Sequence, residues 1–426
     1  MQAPLFNRSL PTEGSTGMLS DIRDTPEVIK RVLATYLKAP PSGEGSADFP
    51  SLRQPLPEGH GLAGRTPMEV MAACNPPEGG SFNNKFVIIG CGTSNHAALV
   101  AEYLIELVNI ARIPVEVQYA SEYRYRKPLV RPGDVLFVVS NSGETSDAVE
   151  SLRLVRKCTN GQKVLIIGVV NEADSTIAKE SDAFISVLAG KEMGVASTKV
   201  FSSTILTFTL LAIALGECTK NFTEAHKTAL LEAVRALPGS VQEVLDRDTK
   251  IFKSHESRLE IGECVLWDIA CQNVLANNFI FLGRGFCFPV ALEGAMKIKE
   301  TGLAYIHAEG YPAAEMKHGP IALIDQFMSV VVIAPKCDPS YEKIKSNIEE
   351  TKARSGNIIA ITEYQNDDLE TLCQHVIKTP PAHEYTMPLL AVIEMQLLAC
   401  MMGMLRGNEV DQPRGLQKTI TGQVRS

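Results

Sequence analysis

The sequence predicts an α/β protein built from two similar domains, each around a parallel sheet. Three observations carry that expectation. Past the first eighty or so residues, short apolar runs rich in β-branched side chains alternate with longer amphipathic segments, the pattern of strands buried on both faces beneath helices. The runs recur with matching spacing in two halves of the chain. The polar stretch before them, rich in Pro, Gly and Ser, has no such rhythm.

Residues 1–50 read as an N-terminal extension with one helix, opened by Thr25 as N-cap and Pro26 in the first turn. A second start signal is Thr66-Pro67, before "MEVMAAC". The first domain, 51–217, takes its strands from "FVIIG" (86–90), "VEVQYA" (115–120), "VLFVVS" (135–140), "VLIIGVV" (164–170) and "AFISV" (183–187). A helical connector and insertion, 218–265, leads to the second domain, 266–406, with strands starting at 279, 329, 357 and 375. Those starts are 50, 28 and 18 residues apart, and the starts at 86, 135, 164 and 183 are 49, 29 and 19 apart. Such agreement marks an internal duplication. Residues 407–426 form a C-terminal tail. Two apolar segments, 200–216 and 388–405, read as buried core helices. The first is short and carries Ser and Thr; the second holds Glu394 and Gln396.

Composition narrows the function classes. The 426 residues carry a net charge of −8 and no long Lys/Arg run, which argues against nucleic acid and anionic membranes as partners. The ten cysteines show no CxxC pair and no Cys/His spacing for a metal, and the N-terminus has no apolar signal core. Free thiols in a cytoplasmic protein, without metal or cofactor, are expected.

The chemistry lies where strands give way to helices. "SNSGET" follows the run at 135–140 and brings Ser140, Asn141, Ser142 and Thr145 around Gly143. A helix start offers unpaired N–H groups and the positive end of its dipole, so hydroxyls there suit a phosphate without lysine or metal. They equally suit a plain helix cap. "GCGTSN" (90–95) adds Thr93 and Ser94 at the same edge, and "GVASTK" (194–199) adds a third cluster. The first of these falls short of a dinucleotide fingerprint, because the third glycine is missing. Three hydroxyl-bearing loops suit a sugar phosphate. The duplicate has "APKCDPS" where the first domain has "SNSGET". In the second half, "ALEGAMKIKE" places Glu293, Lys297 and Glu300 on one helix face, which fits either an active site or a surface ion-pair row. "HAEGYPAAEMKHGP" sets His318 among carboxylates, where an imidazole can serve as acid or base.

These motifs, together with "ASEYRYRKPL", "EMGVASTK", "FLGRG" and "VDQPRGLQK", closely resemble the sugar-isomerase half of the glutamine–fructose-6-phosphate aminotransferase (glucosamine-6-phosphate synthase) family. The resemblance implies two tandem SIS domains, each a three-layer α/β/α sandwich with a mostly parallel, flavodoxin-like sheet. It implies that Thr93, Ser94, Ser140, Asn141, Ser142 and Thr145 hold the phosphate and nearby hydroxyls, and that Val195 and Ser197 line the sugar. It gives Glu300 the proton transfer between C1 and C2, and Lys297 an assisting role beside it. His318 opens the ring from a neighbouring subunit of a homodimer, and Lys418 meets the open-chain carbonyl. The sequence departs from the family at Asn141, where Gln is usual, by two extra residues between Glu300 and "YIHAE", and by "GLQK" for "NLAK". Residues 254–278 resemble an insertion. Residue 2 is Gln and the first cysteine is Cys74, so the N-terminal nucleophile of the family's glutaminase is not expected.

The function expected is therefore that of an enzyme interconverting fructose 6-phosphate plus ammonia with glucosamine 6-phosphate, without glutaminase activity. Two rivals stay open: a glucosamine-6-phosphate deaminase running mainly in the catabolic direction, and a non-catalytic regulator that senses sugar phosphates.

Overall fold

The computed structural model describes residues 16–38, 45–75, 84–107, 110–126, 128–159, 163–252, 264–302 and 306–416. They form two compact units. The first gathers Glu27–Gly190 and Val200–Arg235; the second gathers the chain up to Pro26, the short Lys191–Lys199 segment and the stretch beginning at Ala236.

The first unit is built on strands β1 (Phe86–Gly90), β2 (Val115–Tyr119), β3 (Val135–Ser140), β4 (Leu165–Val170) and β5 (Ala183–Ser186). All pair in parallel, in the order β2-β1-β3-β4-β5. The second unit repeats the plan with β6 (Asn278–Gly283), β7 (His307–Pro312), β8 (Ser329–Ile333), β9 (Asn357–Glu363) and β10 (His375–Thr379), in the order β10-β9-β8-β6-β7. Counted within each unit, both sheets run 2-1-3-4-5, the flavodoxin-like arrangement. The order reverses between the first and third strands, and the crevice at their carboxyl ends is where ligands of such sheets bind.

The apolar runs are continuous because both faces of each sheet are covered. In the first unit, Val87, Ile89, Leu136, Val138 and Ile166 pack beneath helices α5 (Ala120–Tyr123), α6 (Ser146–Cys158) and α7 (Thr176–Glu180). The alternate residues point the other way, where Phe137 meets Phe208 of α8 (Lys199–Thr219) edge-on with ring centroids 6.0 Å apart. In the second unit, Ile280, Leu282, Val330, Val332 and Ile358 lie beneath α12 (Tyr341–Lys352), while Phe281 on the opposite face abuts Gly294 of α11 (Cys287–Gly302). Gly294 also lies against Met395 of α13 (Met387–Leu405). The two long apolar helices, α8 and α13, are the segments read as core from sequence. Over their most apolar windows they are 94% and 89% buried within the molecule.

Other elements fill in the sequence reading. Thr66 opens α3 (Pro67–Ala72) with a complete capping box to Glu69. The N-terminal stretch holds two helices, α1 (Gly17–Arg23) and α2 (Thr25–Tyr36), where sequence suggested one. Thr25 does not cap by hydrogen bond; its hydroxyl is buried and finds no acceptor or donor among the described residues. The 254–278 stretch is described from residue 264 on. There it forms α10 (Val265–Asn273), whose last residue, Asn273, accepts from Ser329 at 2.6 Å and from Asn357 at 3.0 Å, tying the starts of β8 and β9 together.

Strand β7 escaped the sequence reading. Its register repeats that of β2: Asn278 pairs with His307 as Phe86 pairs with Val115. Being an edge strand with only one residue fully buried, it needs no apolar run, and "HAEGYP" offers none. Gly310 is required there by α11, since a Cβ would lie 2.8 Å from the Leu292 Cα. Gly310→Ala should destabilise the protein by about 1–3 kcal/mol through overpacking, readable as a lower midpoint in urea unfolding.

Candidate functional site

In the first unit, the crevice lies between the loops that follow β1 and β3. After β1 the chain turns through Gly92, at φ +52°, straight into α4 (Thr93–Glu106). Gly90 has no room for a side chain, as a Cβ there would sit 2.9 Å from the Ser94 carbonyl carbon. No side chain caps α4, so Thr93 and Ser94 stand at its open N-terminus.

The loop after β3 is held by its own hydroxyls. Ser140 Oγ accepts from the Gly143 N–H at 3.0 Å and pairs with Thr145 Oγ1 at 2.8 Å. Ser142 Oγ accepts from the Glu144 N–H at 3.2 Å. Gly143 adopts φ +64°, and a Cβ there would lie 2.0 Å from Ser175 Oγ. The Gly143 carbonyl accepts from Ile177 N–H, and Glu144 accepts from the Thr176 N–H and hydroxyl at 2.7 and 2.8 Å, so α7 braces the loop from behind. Thr145 stands at the N-cap of α6 without capping it, its hydroxyl pairing with Ser140. The simple helix-cap reading of this loop therefore does not hold. The Ser142 N–H has no protein acceptor among the described residues. The result is a neutral concavity of amides and alcohols between two helix N-termini, suited to an anion.

Residues Val195 and Ser197 belong to the second unit. Their loop is clamped by carboxylates: Asp21 accepts from the N–H groups of Met193 and Gly194 at 2.7 and 2.8 Å, and Glu192 from that of Thr198 at 2.7 Å. Lys199 pairs with Asp24 at 2.8 Å and Asp21 at 3.2 Å. Burial alone lowers the Lys199 pKa, but the two aspartates outweigh it and raise the net value. Val195 N–H donates to the Asp411 carbonyl at 2.8 Å, and the Asp411 carboxylate accepts from the N–H groups of Gly17 and Met18 at the start of α1. Gln396, fully buried on α13, donates to Thr198 O at 3.2 Å. The Ser197 hydroxyl is left buried with no partner among the described residues. Sequence reasoning missed these clamps. Asp21 and Asp411 lie 173 and 394 residues from amides they hold, and no local pattern signals such pairings.

On α11, Glu293, Lys297 and Glu300 form a single cluster. Lys297 Nζ lies 3.2 Å from Glu293 and 2.5 Å from Glu300. The row is not on the surface, since the Lys297 and Glu293 side chains are 0% exposed; Glu300, at 21%, is the member that reaches solvent. Burial by itself lowers the Lys297 pKa, yet Glu293 and Glu300 overcome it and raise the value above the ordinary 10.5. The two carboxylates thus favour the charged ammonium of Lys297. His318 ends a short 3-10 turn (Ala313–His318) and is exposed, thrown outward by Gly319 at φ +144°. Its side chain makes no ion pair or hydrogen bond among the described residues. Lys418 lies outside the described residues.

Fold and site together define a flavodoxin-like α/β architecture duplicated in one chain, with a concavity of amides and hydroxyls at the switch point of one copy. The chain belongs to the SIS domain family, whose profile matches residues 83–214 and again 275–406. The glutamine–fructose-6-phosphate aminotransferase (isomerizing) of Chlorobaculum tepidum is 44% identical over 337 residues, covering 79% of this chain and 51% of that protein. That of Bradyrhizobium diazoefficiens is 37% identical over 408 residues, or 95% of this chain and 58% of that one. The chain spans about half the length of the curated relatives it matches. Among solved structures, the C-terminal domain of the Francisella tularensis glucosamine-fructose-6-phosphate aminotransferase superposes with a TM-score of 0.76 at 28% identity, covering 94% of this chain and 99% of that domain. The Thermotoga maritima glucosamine-6-phosphate deaminase shares the fold, with a TM-score of 0.66 at 20% identity and coverage of 95% and 99%.

Two stability measurements follow. Ser140→Ala strands the buried Gly143 N–H and should cost about 1–3 kcal/mol in urea unfolding, with no change in slope. Lys297→Ala removes the buried ammonium that pairs with Glu293 and should cost about 3–5 kcal/mol. Because the folded-state pKa of Lys297 is raised, its contribution is complete below its unfolded value of 10.5 and fades only as pH rises through the higher folded value. The Lys297→Ala deficit should therefore be the same at pH 6 and pH 8.

Proposed function

We propose that this chain is a phosphosugar isomerase that interconverts fructose 6-phosphate and ammonia with glucosamine 6-phosphate. The observation that carries the proposal is the cluster on α11, a buried ammonium holding one solvent-reaching carboxylate, within a chain whose relatives are named for this conversion. A protein that merely bound sugar phosphates would need the hydroxyl loops and would gain nothing from burying Glu293 and Lys297, which is costly unless the charges are used.

In this reading the phosphate rests on the Ser142 amide and the hydroxyls of Thr93, Ser94, Ser142 and Thr145, with Ser140 and Asn141 shaping the loop. Val195 and the unpartnered Ser197 hydroxyl face the sugar. His318, supplied by the partner subunit of a homodimer, opens the ring, and its exposure on the single chain supports that role. Ammonia adds at C2 with loss of water. Glu300 then takes a proton from C1 of the resulting imine and returns it to C2 while the C1 hydroxyl proton passes to the nitrogen, leaving an aldehyde at C1 and the amine at C2. Lys297 sets the position and charge of Glu300 and stabilises negative charge developing on oxygen. Lys418 meets the open-chain carbonyl. A cytoplasmic location suits a phosphorylated substrate and free thiols.

Incubation with glucosamine 6-phosphate, or with fructose 6-phosphate and ammonium, followed by chromatography of the sugar phosphates, tests the conversion and its preferred direction. Glu300→Gln should lower kcat by about 10²–10⁴-fold while leaving sugar phosphate binding within a few-fold of wild type. Unchanged turnover in that variant would remove Glu300 from the mechanism. Absence of any turnover in the wild-type chain, with sugar phosphate bound, would establish the sensor instead.

A further inference from the structure

The duplicate unit has its own switch-point loop, running from Pro335 to Ser340 after β8. Strand register fixes the correspondence. Val135 of β3 pairs with Leu165 of β4 as Ser329 of β8 pairs with Asn357 of β9. Lys336 and Cys337 stand seven and eight residues beyond Ser329, as Ser142 and Gly143 stand beyond Val135. Glu363 stands six residues beyond Asn357, as Asn171 stands beyond Leu165.

At these equivalent places the two units differ in charge. The Glu363 carboxylate is buried at 5% exposure and accepts from Lys336 N–H at 2.6 Å, Cys337 N–H at 3.1 Å and the Thr362 hydroxyl at 3.2 Å. A second carboxylate, Asp338, accepts from the N–H and hydroxyl of Ser340, both at 2.6 Å. In the first unit Asn171 is neutral and turned away, accepting from Ala189 N–H at 3.0 Å and donating to Gly190 O at 2.8 Å. There the Ser142 N–H keeps no protein acceptor among the described residues.

We infer that the duplicate retains an anion cradle at the same place in its fold and keeps it filled with its own Glu363 carboxylate, so that this loop admits no phosphate. Three donors converge on that carboxylate as they would on a phosphate oxygen pair. A phosphate dianion approaching the loop would meet two carboxylates at close range and no acceptor-free amide at Lys336 or Cys337. The inference uses the phosphate reading of the first loop as a template only. Its own evidence is the set of donors on Glu363.

The test is a titration of inorganic phosphate into the full chain labelled with 15N-cysteine, with the Cys337 amide identified by its loss in Cys337→Ser. In wild type the Cys337 amide should not shift. In Glu363→Asn, which installs the first unit's residue, it should shift saturably, and the melting temperature should rise with phosphate. A saturable Cys337 shift in wild type overturns the inference, and that arm needs no variant to fold. So does a folded Glu363→Asn chain whose Cys337 amide ignores phosphate. Calorimetry on the same samples separates the two claims. A wild-type chain that binds no phosphate at all refutes the reading of the first loop, while a gained site in Glu363→Asn still upholds this one.

Discussion

A parallel strand that turns into a helix leaves backbone N–H groups pointing out of the sheet edge, and those groups must find acceptors. This constraint organises both units. In the first, hydroxyls supply part of the answer: Ser140 and Ser142 take the amides of Gly143 and Glu144, and the amide of Ser142 is left to whatever enters the crevice. In the second, a carboxylate stands at the corresponding places, because Glu363 takes both Lys336 and Cys337. The same fold thus reaches two electrostatic solutions. One leaves the Ser142 amide open, and the other carries a resident carboxylate.

The fold was legible because its strongest signal is burial. Strands covered on both faces are continuously apolar, and β1, β3, β4, β6, β8 and β9 announce themselves that way, while β2 and β10 were read from shorter β-branched runs that also hold polar residues. Strand β7 did not, since an edge strand beside α11 is chosen for clearance at Gly310 and for surface, and its residues are His, Ala, Glu, Gly, Tyr and Pro. The hydroxyl loop was legible for a related reason. A strand exit with three alcohols and a glycine is unusual for a mere turn, and the geometry shows the alcohols holding the loop's own amides in place of capping α6. Glu363 was not legible. It closes the apolar run "NIIAITE" and looks like an ordinary polar strand end until the register brings it under the neighbouring loop.

The row on α11 shows where spacing stops being informative. Glu293, Lys297 and Glu300 satisfy the same one-turn rule as any solvated ion pair, which contributes about 0.2–0.5 kcal/mol on a surface helix. Only the cover provided by β7, the sheet and α13 decides that two of them are fully enclosed. Enclosure changes their meaning. A buried pair is retained at a desolvation cost of several kcal/mol per ion, so it is weak evidence for stability and better evidence for a fixed charge arrangement. The two carboxylates favour the charged lysine, which in turn pairs with Glu300 at the edge of solvent.

The clamps on the 192–199 loop follow the same logic as the filled cradle. Here too, amides that a loop would leave open are taken by carboxylates: Asp21 on Met193 and Gly194, Glu192 on Thr198. The Ser197 hydroxyl in that loop is buried without a partner among the described residues. With the amides of Met193, Gly194, Val195 and Thr198 held, that hydroxyl is presented by a braced segment. Across the described residues, polar groups that structure needs are met by carboxylates from distant parts of the chain. Two that are left open, the Ser142 amide and the Ser197 hydroxyl, sit in loops braced by such bonds. An unsatisfied group costs about 1–3 kcal/mol when buried, and a rigid loop cannot relax to recover it, so a ligand that meets it regains that free energy on binding.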